Sequence, residues 1–248
     1  MNIPIPEQKM PDWDIYQSTS IIENYDPLVP VSISKKMGIY PAYFKMGVAN
    51  AIPECHVRSQ VLERLLRAAS LLPDNLQLVV LDGWRPFAVQ QYLFDTLVNL
   101  ISHANKALSP DEVNLEARNL VSPPSTDPKA PSPHLTGGSV DVTLADIDGR
   151  LLDMGSLFDE ASPRSWTYAL EKSLKQDDIS ARDNRRLLFN AMTQAGFSNL
   201  PSEWWHYDFG NQLWAYNTHA SGAIYGATRP LSIEKLWLQQ LNRYAQAG

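Results

Sequence analysis

Two short polar segments that lie far apart in the chain constrain its fold most strongly. The first is Ser132–Asp141 (SPHLTGGSVD), and the second is Glu203–His206 (EWWH). Together they offer two imidazoles and a carboxylate as metal ligands, with a second carboxylate beside one imidazole. A catalytic zinc site uses three protein ligands, leaves a position open for water, and needs a base. The pattern therefore predicts a fold that brings both segments together, and the chemistry of a metal-dependent hydrolase.

The bulk composition is that of a globular protein and argues against several functions. Of the 248 residues, 44% are apolar and 19% are charged, which is ordinary. The formal charge of −6 argues against nucleic-acid binding, which needs a concentrated basic face. No apolar stretch has the length of a signal peptide or of a membrane span. We therefore expect a cytoplasmic protein without nucleic-acid or membrane partners; its oligomeric state is left open.

Cys55 is the single cysteine, which excludes an internal disulfide and a multi-thiolate metal site. Because His56 follows directly, a catalytic thiol is an alternative. Adjacent side chains rarely face each other, however, so a packing role is favoured. His103 lies within a predicted helix, and His56 and His219 have no partnered carboxylate at ligand spacing, so none of the three receives a metal role.

Apolar periodicity predicts the secondary structure around the two segments. Helical spacing is typical of helices, and alternating or continuous apolar runs are typical of strands. The predicted helices cover about 56–72, 87–106, 110–120, 178–195 and a last segment, capped by Ser232, that ends near 246. The predicted strands cover 76–81 and 140–144, with strand material over 197–209. We expect one α+β domain over 1–248, with 1–39 as an N-terminal arm and about 215–248 as a C-terminal helical extension.

His134 and Asp141 each have a simpler interpretation when taken alone. A histidine that follows a proline-rich loop can be an ordinary polar residue. Asp141 alternates into a strand of valine and leucine, which predicts a half-buried strand with Asp141 on its polar face. An unpaired carboxylate there is costly, and a metal would compensate it. Gly137 and Gly138 permit a bend that brings the histidine over the strand.

Glu203, His206 and Arg85 complete the candidate site. Glu203 and His206 are three residues apart, so they cooperate only across a turn or bulge; otherwise they are an exposed pair. Arg85 follows a buried strand and a glycine, where a cation can point into a cleft and stabilise an oxyanion. Its simpler interpretation is a salt bridge to Asp82 or a surface position.

Four motifs in this order resemble those of the M15 zinc peptidases, the D-alanyl-D-alanine dipeptidase and carboxypeptidase family. Ser132–Asp141 and Glu203–His206 match the signatures Ser-x-His-x-x-Gly-x-x-x-Asp and Glu-x-Trp-His. Asp82–Pro86 and Asp153–Asp159 look like the dipeptidase branch, the vancomycin-resistance type. Trp84 departs from the tyrosine common in the family. The proline-rich insertion before Ser132 and the C-terminal extension affect the prediction of the substrate more than the prediction of the reaction.

The resemblance implies a site and a fold. It implies that one Zn²⁺ per chain is bound by His134, Asp141 and His206, and that Glu203 is the general base. Arg85 matches a transition-state arginine, and Ser132 and Asp159 match substrate contacts, Asp159 near the substrate's amino terminus. The implied Hedgehog/DD-peptidase-like fold is a small antiparallel sheet flanked by helices.

Three functions are consistent with these residues. The first is hydrolysis of D-alanyl-D-alanine or a related D,D-dipeptide, with Glu203 taking the proton of a zinc-activated water. The second is a D,D-carboxypeptidase or other peptidoglycan peptidase with an open cleft. The third is a zinc-containing binding module without catalysis, which the presence of Glu203 disfavours.

Overall fold

The computed structural model describes residues 3–31, 34–118 and 120–247. The α-helices in this part are α1 (Trp13–Gln17), α2 (Ala42–Lys45), α3 (Ser59–Leu71), α4 (Phe87–Ala104), α5 (Pro110–Arg118), α6 (Gln176–Gln194), α7 (Gln212–Thr218) and α8 (Ile233–Ala247). The strands are β1 (Leu28–Pro30), β2 (Met37–Ile39), β3 (His56–Arg58), β4 (Leu76–Asp82), β5 (Ser139–Asp146), β6 (Ser198–Asn199) and β7 (His206–Asp208). Short 3₁₀ helices cover Pro133–Thr136 and Pro163–Ser165.

Five strands form the main sheet in the order β2-β4-β5-β7-β6. The edge strand β2 runs parallel to β4, and the other neighbouring strands are antiparallel. Strands β1 and β3 form a separate antiparallel pair. The predicted α+β fold, a small and largely antiparallel sheet flanked by helices, is confirmed.

The main core lies between one face of this sheet and helices α3 and α6. The apolar positions of β5 alternate, and Val140, Val142 and Leu144 are fully buried. They belong to one cluster with the apolar faces of the two helices, represented by Val61, Leu65, Leu188 and Met192. This packing anchors β5, the central strand of the sheet, so that a residue on its other face has a fixed position.

The expectation that β5 is half-buried is wrong, because its polar face is covered as well. Thr143 is 3% exposed and Asp141 is 1% exposed. A second apolar cluster packs over this face; it contains Ala42, Val79, Leu81, Ala145 and the partly buried Phe158. The covering residues come from α2 and from the segment before Asp159, which carry no periodic signal that links them to β5.

Most predicted elements are present, with shifted ends. The helix expected from 56 begins at Ser59, because His56–Arg58 pairs with β1 instead. The expected strand material over 197–209 is two short strands separated by a turn. The backbone N–H of Lys235 donates to Ser232 Oγ at the start of α8 (3.4 Å). Among the described helices, none combines the length and apolarity that crossing a bilayer requires.

The strand register assembles the polar residues at one end of the sheet. Asp82, at the end of β4, pairs with Asp141 of β5 after an irregularity that follows Val80. Asp141 in turn pairs with His206 of β7. Cross-strand partners lie on the same face of a sheet, so three polar side chains from distant segments become neighbours.

Candidate active site

His134, Asp141 and His206 converge on one point. His134 Nε2 lies 3.2 Å from His206 Nδ1 and 3.5 Å from Asp141 Oδ1. His206 Nδ1 lies 3.2 Å from the same Asp141 oxygen. All three side chains are buried, and they form a group whose ligand atoms can hold a metal ion.

The glycine bend before β5 carries His134 over the sheet. Pro133–Thr136 forms a 3₁₀ turn that ends at Gly137, which has a φ of +70°, a conformation that favours glycine. The carbonyl oxygen of His134 accepts hydrogen bonds from the N–H groups of Gly137 (3.1 Å) and Arg85 (3.3 Å). The two ends of the site are thus tied to each other through the backbone.

The three ligand atoms fit a zinc ion. With zinc–nitrogen bonds of 2.0–2.1 Å, the ligand atoms of a tetrahedral site are separated by about 3.3–3.4 Å. The observed separations of 3.2, 3.2 and 3.5 Å match this spacing. Two imidazoles and one carboxylate leave a fourth position for water, which is typical of catalytic zinc sites.

Outer partners orient both imidazoles for metal binding. Nδ1–H of His134 donates to the carbonyl oxygen of Gly83 (2.8 Å), which leaves Nε2 with its lone pair towards the cluster. Nε2–H of His206 points at the Asp208 carboxylate (3.1 and 3.2 Å), which leaves Nδ1 in the same role. Such partners fix the tautomer and raise the basicity of a metal-ligating histidine.

The electrostatics of the cluster suit a cation. Burial acts to raise the pKa of Asp141, but the facing imidazoles of His134 and His206 hold it well below its usual range. Burial acts to lower the pKa of His206, but the carboxylates of Asp208 and Asp141 raise it well above its usual value. The surroundings therefore favour positive charge beside an ionised Asp141.

Glu203 lies beside the cluster in the turn between β6 and β7. Its N–H donates to the carbonyl oxygen of Leu200 (3.0 Å), and its carbonyl oxygen accepts the N–H of His206 (3.3 Å). These bonds close a turn, which is the geometry that the sequence requires if Glu203 and His206 act together. Glu203 Oε2 lies 3.8 Å from His206 Nδ1. Burial raises the pKa of Glu203 to about 8. A cation bound in the cluster would lower this pKa, because it stabilises the ionised form.

One cavity is lined by the three clustered side chains, by Glu203 and by Arg85. Two carboxylates hold Arg85 in this cavity. Its Nε donates to Asp82 (2.7 Å), Nη2 to Asp141 (3.1 Å) and Nη1 to Gln90 (2.7 Å). The simpler interpretation, a salt bridge to Asp82, is thus present together with a position beside the metal cluster. Three of the five guanidinium N–H groups are used, so two are available to a substrate.

Asp159 lines this cavity, and its backbone has a φ of +63°, a region that few residues other than glycine adopt. Its Oδ2 accepts a hydrogen bond from the hydroxyl of Tyr43 (2.8 Å). Burial raises the pKa of Asp159, and the charge of Arg85 partly offsets this effect.

Ser132 and Cys55 are engaged elsewhere. The hydroxyl of Ser132 accepts the N–H of Ser125 (2.7 Å) and lies 3.2 Å from the carbonyl oxygen of Pro123, so it holds the proline-rich loop. Its predicted substrate contact stays a prediction. Cys55 is buried, its Sγ lies 3.8 Å from the carbonyl oxygen of Val80, and burial raises its pKa, which disfavours a nucleophilic thiolate.

The sequence matches a known peptidase family over most of its length. The profile of the Peptidase_M15 family, described as D-ala-D-ala dipeptidase, matches residues 48–223. This chain belongs to the D-Ala-D-Ala dipeptidase family. The D-alanyl-D-alanine dipeptidase of Synechocystis sp. is 32% identical over 235 residues, which cover 85% of this chain and 95% of that protein.

Other members and one solved structure are also similar to this chain. The D-alanyl-D-alanine dipeptidase of Escherichia coli is 31% identical over 155 residues, 62% of this chain and 66% of that protein. The Zn(II) complex of the vancomycin-resistance D,D-pentapeptidase VanY is 16% identical, with a TM-score of 0.39 over 68% of this chain and 82% of that one. The family and the donor set together identify a zinc metallopeptidase.

Sequence reasoning missed several residues of this candidate site. Asp208 is one of them, although it follows His206 by two residues on a strand and therefore shares its face. Tyr43 and Gln90 contact Asp159 and Arg85, but they belong to helices α2 and α4, whose sequences carry no sign of the cavity. Alternation along β7 was the available signal for Asp208.

Proposed function

We propose that this protein hydrolyses D-alanyl-D-alanine, or a related D,D-dipeptide, to free amino acids in a zinc-dependent reaction. The observation that carries the proposal is the buried His134–Asp141–His206 cluster, which shares one cavity with the carboxyl group of Glu203. Membership of the D-Ala-D-Ala dipeptidase family supports the choice of substrate.

Glu203 is the general base in this proposal. His134, Asp141 and His206 would hold a zinc ion, which would supply Lewis acidity and make water more acidic at this site. Ionised Glu203 takes the proton of the attacking water and returns it to the leaving amine. Its nearness to His206 Nδ1 (3.8 Å) supports this assignment, because the base must lie close to the metal's open position.

Arg85 stabilises the negative charge that develops on the carbonyl oxygen. Its position is supported by the bonds to Asp82 and Asp141, which keep the guanidinium beside the cluster in the free enzyme. Donors that are oriented before the reaction need no reorganisation when the charge forms. The remaining two N–H groups can then donate to the oxyanion.

Asp159 binds the ammonium group of the dipeptide. It lines the same cavity as Glu203, and it accepts a hydrogen bond from the neutral hydroxyl of Tyr43. A free dipeptide brings an ammonium group to this carboxylate, whereas an N-acylated peptide brings a neutral amide in its place. This difference favours a dipeptidase over a D,D-carboxypeptidase.

We further propose that the chain is a single catalytic domain and that it acts in the cytoplasm. Its substrates would be dipeptides that are formed or released in peptidoglycan metabolism. The substrate assignment supports this setting, because D-alanyl-D-alanine is a peptidoglycan building block. The contribution of β2, at the end of the N-terminal arm, to the main sheet supports one domain.

The test is hydrolysis by the zinc-loaded protein. We expect release of D-alanine from D-Ala-D-Ala, and little from an N-acylated D-Ala-D-Ala tripeptide or from L-Ala-L-Ala. Preference for the acylated tripeptide would favour the carboxypeptidase instead. A zinc-loaded protein that cleaves none of these peptides would contradict both enzymatic assignments.

A further inference from the structure

A free dipeptide brings two opposite charges into the cavity, and the proposed function accounts for one of them. The ammonium group has Asp159, but the C-terminal carboxylate also loses water when it binds. A buried charge without a partner is costly, more so than an unpaired neutral polar group. A dipeptidase therefore needs a cation or several donors at the carboxylate end.

Two arginines line the cavity among the residues that the structure describes, Arg85 and Arg118. Arg85 is already balanced by two carboxylates, Asp82 and Asp141. Its free N–H groups lie beside the metal cluster, where the scissile carbonyl must sit. Arg85 is therefore poorly placed to neutralise a second anionic group at the other end of the substrate.

The side chain of Arg118 has no counter-charge among the described residues. It is half-buried in the last turn of α5, and its guanidinium has no hydrogen bond or ion pair with any residue in the described ranges. Tyr16 is near enough to interact with its charge, but burial raises the pKa of Tyr16, so the phenol stays neutral. An unpaired guanidinium in the wall of a cavity is a site for an anion.

The surrounding contacts place Arg118 in a defined relation to the catalytic groups. Helix α5 packs on α4 through buried Val113 and Ala117, the residue before Arg118. Gln90 of α4 donates through Nε2 to the carbonyl oxygen of Ser122 (2.7 Å), just after α5, while its Oε1 accepts from Arg85 (2.7 Å). One amide thus connects the segment after Arg118 to the arginine at the metal cluster.

We infer that Arg118 binds the C-terminal carboxylate of the substrate and determines the preference for dipeptides with a free carboxyl end. This inference rests on the proposed function. The cavity then presents an anion, Asp159, and a cation, Arg118, to the two ends of a zwitterion, with Glu203 beside the metal cluster. The simpler role for Arg118 is a favourable interaction with the C-terminal end of the α5 helix dipole.

The experiment compares D-Ala-D-Ala with D-alanyl-D-alanine amide, which is neutral at its C-terminus. For Arg118→Gln we expect KM for D-Ala-D-Ala to rise roughly 10- to 100-fold, as for a lost charge-assisted hydrogen bond, with kcat nearly unchanged. KM for the amide should stay the same, and Arg118→Lys should recover part of the loss. Arg67→Gln, which removes an exposed arginine of α3, is the matched control and should behave as wild type.

Each result decides between the two roles of Arg118. An equal rise of KM for acid and amide would show a structural role and overturn the inference. The wild-type enzyme provides a test that needs no variant, because equal KM values for acid and amide would also contradict it. Wild-type cleavage of D-Ala-D-Ala with no change in Arg118→Gln would overturn the inference alone, whereas no cleavage by wild type would overturn the proposed function and the inference with it.

Discussion

The His134–Asp141–His206 cluster and the groups proposed to meet the substrate are positioned in different ways. Asp141 and His206 are cross-strand partners in the main sheet, and the ring nitrogens of both histidines have outer partners. Asp159 and Glu203 lie in loops, and Arg118 lies at the end of a short helix. The predicted metal ligands are thus fixed by register and packing, whereas the groups proposed to meet the substrate have fewer hydrogen-bond partners.

This difference indicates which side chains can contribute binding energy to a substrate. A fully buried carboxylate that already contacts three side-chain donors, such as Asp208, has little left to give a substrate. Asp159 and Glu203 have few partners, and burial raises the pKa of both carboxyl groups. Groups with perturbed ionisation in a cavity are typical of functional sites, because a ligand supplies the missing partner.

The largest expected effect is at Glu203. Glu203→Gln preserves size and removes the base, so kcat should fall by about 10²- to 10⁴-fold. Zinc content, measured by elemental analysis, should not change, because the proposed ligands are intact. Retained activity would remove Glu203 from its role, and lost zinc would make Glu203 part of the metal-holding region instead.

A change at Asp208 tests whether its contacts fix the orientation of His206. Asp208 is fully buried, accepts hydrogen bonds from Ser139 Oγ (2.6 Å) and Asn211 Nδ2 (2.6 Å), and faces His206. Asp208→Asn should weaken zinc binding by about 10- to 100-fold in a chelator competition. Asp148→Asn, in an exposed turn, is the control. Unchanged zinc affinity would mean that packing alone orients His206.

Asp159 offers a pH-dependent test of the proposed ammonium binding. Burial raises its pKa, so the carboxylate becomes protonated at a higher pH than an ordinary aspartate as the solution is acidified. Its affinity for an ammonium group is present above this pKa and lost below it. The charged or titratable neighbours are Tyr43, Asp82, Arg85, Asp141 and Glu203, which the comparison below holds constant.

The measurement is KM for D-Ala-D-Ala against pH in wild type and Asp159→Asn. We expect KM to be about 10-fold higher in the variant near neutral pH, with the ratio between the two proteins approaching one as pH falls. A ratio that is independent of pH would contradict ammonium binding by an ionised Asp159.

The smallest effect is expected from α8, which belongs to neither region. Every side chain of α8 that the structure describes is exposed, including Trp237 and Leu241. Removal of residues 232–248 should expose little apolar surface on the rest of the domain. The melting temperature and kcat/KM should therefore stay close to those of the full chain. A large loss of stability would show that this helix packs against the domain in solution.

Periodic segments could be predicted from the sequence, and segments placed by long-range contacts could not. Helix α4 and strand β4 were expected within two residues of their observed ends, because each has a regular apolar pattern. The parallel pairing of β2 with β4 and the cover over Thr143 were not expected. They depend on chain segments whose own residues are too few or too irregular to carry a periodic signal.

The same division applies to the candidate site. His134, Asp141, Glu203 and His206 were predicted because residue types and spacing suit zinc chemistry; the structure brings them together, and their roles stay predictions. Arg118 was not found, since an arginine near the end of a predicted helix resembles any solvated cation. Its interest comes from the missing counter-charge, a property of the folded cavity.

The tryptophans at this cavity give it optical reporters of its own. Trp13, from the N-terminal helix α1, and Trp205, beside the metal cluster, line the same space although the chain that separates them spans most of the domain. Displacement of water from their indole rings changes their emission. Filling of the cavity by a dipeptide can thus be followed by intrinsic fluorescence, without a label and before any bond is cleaved.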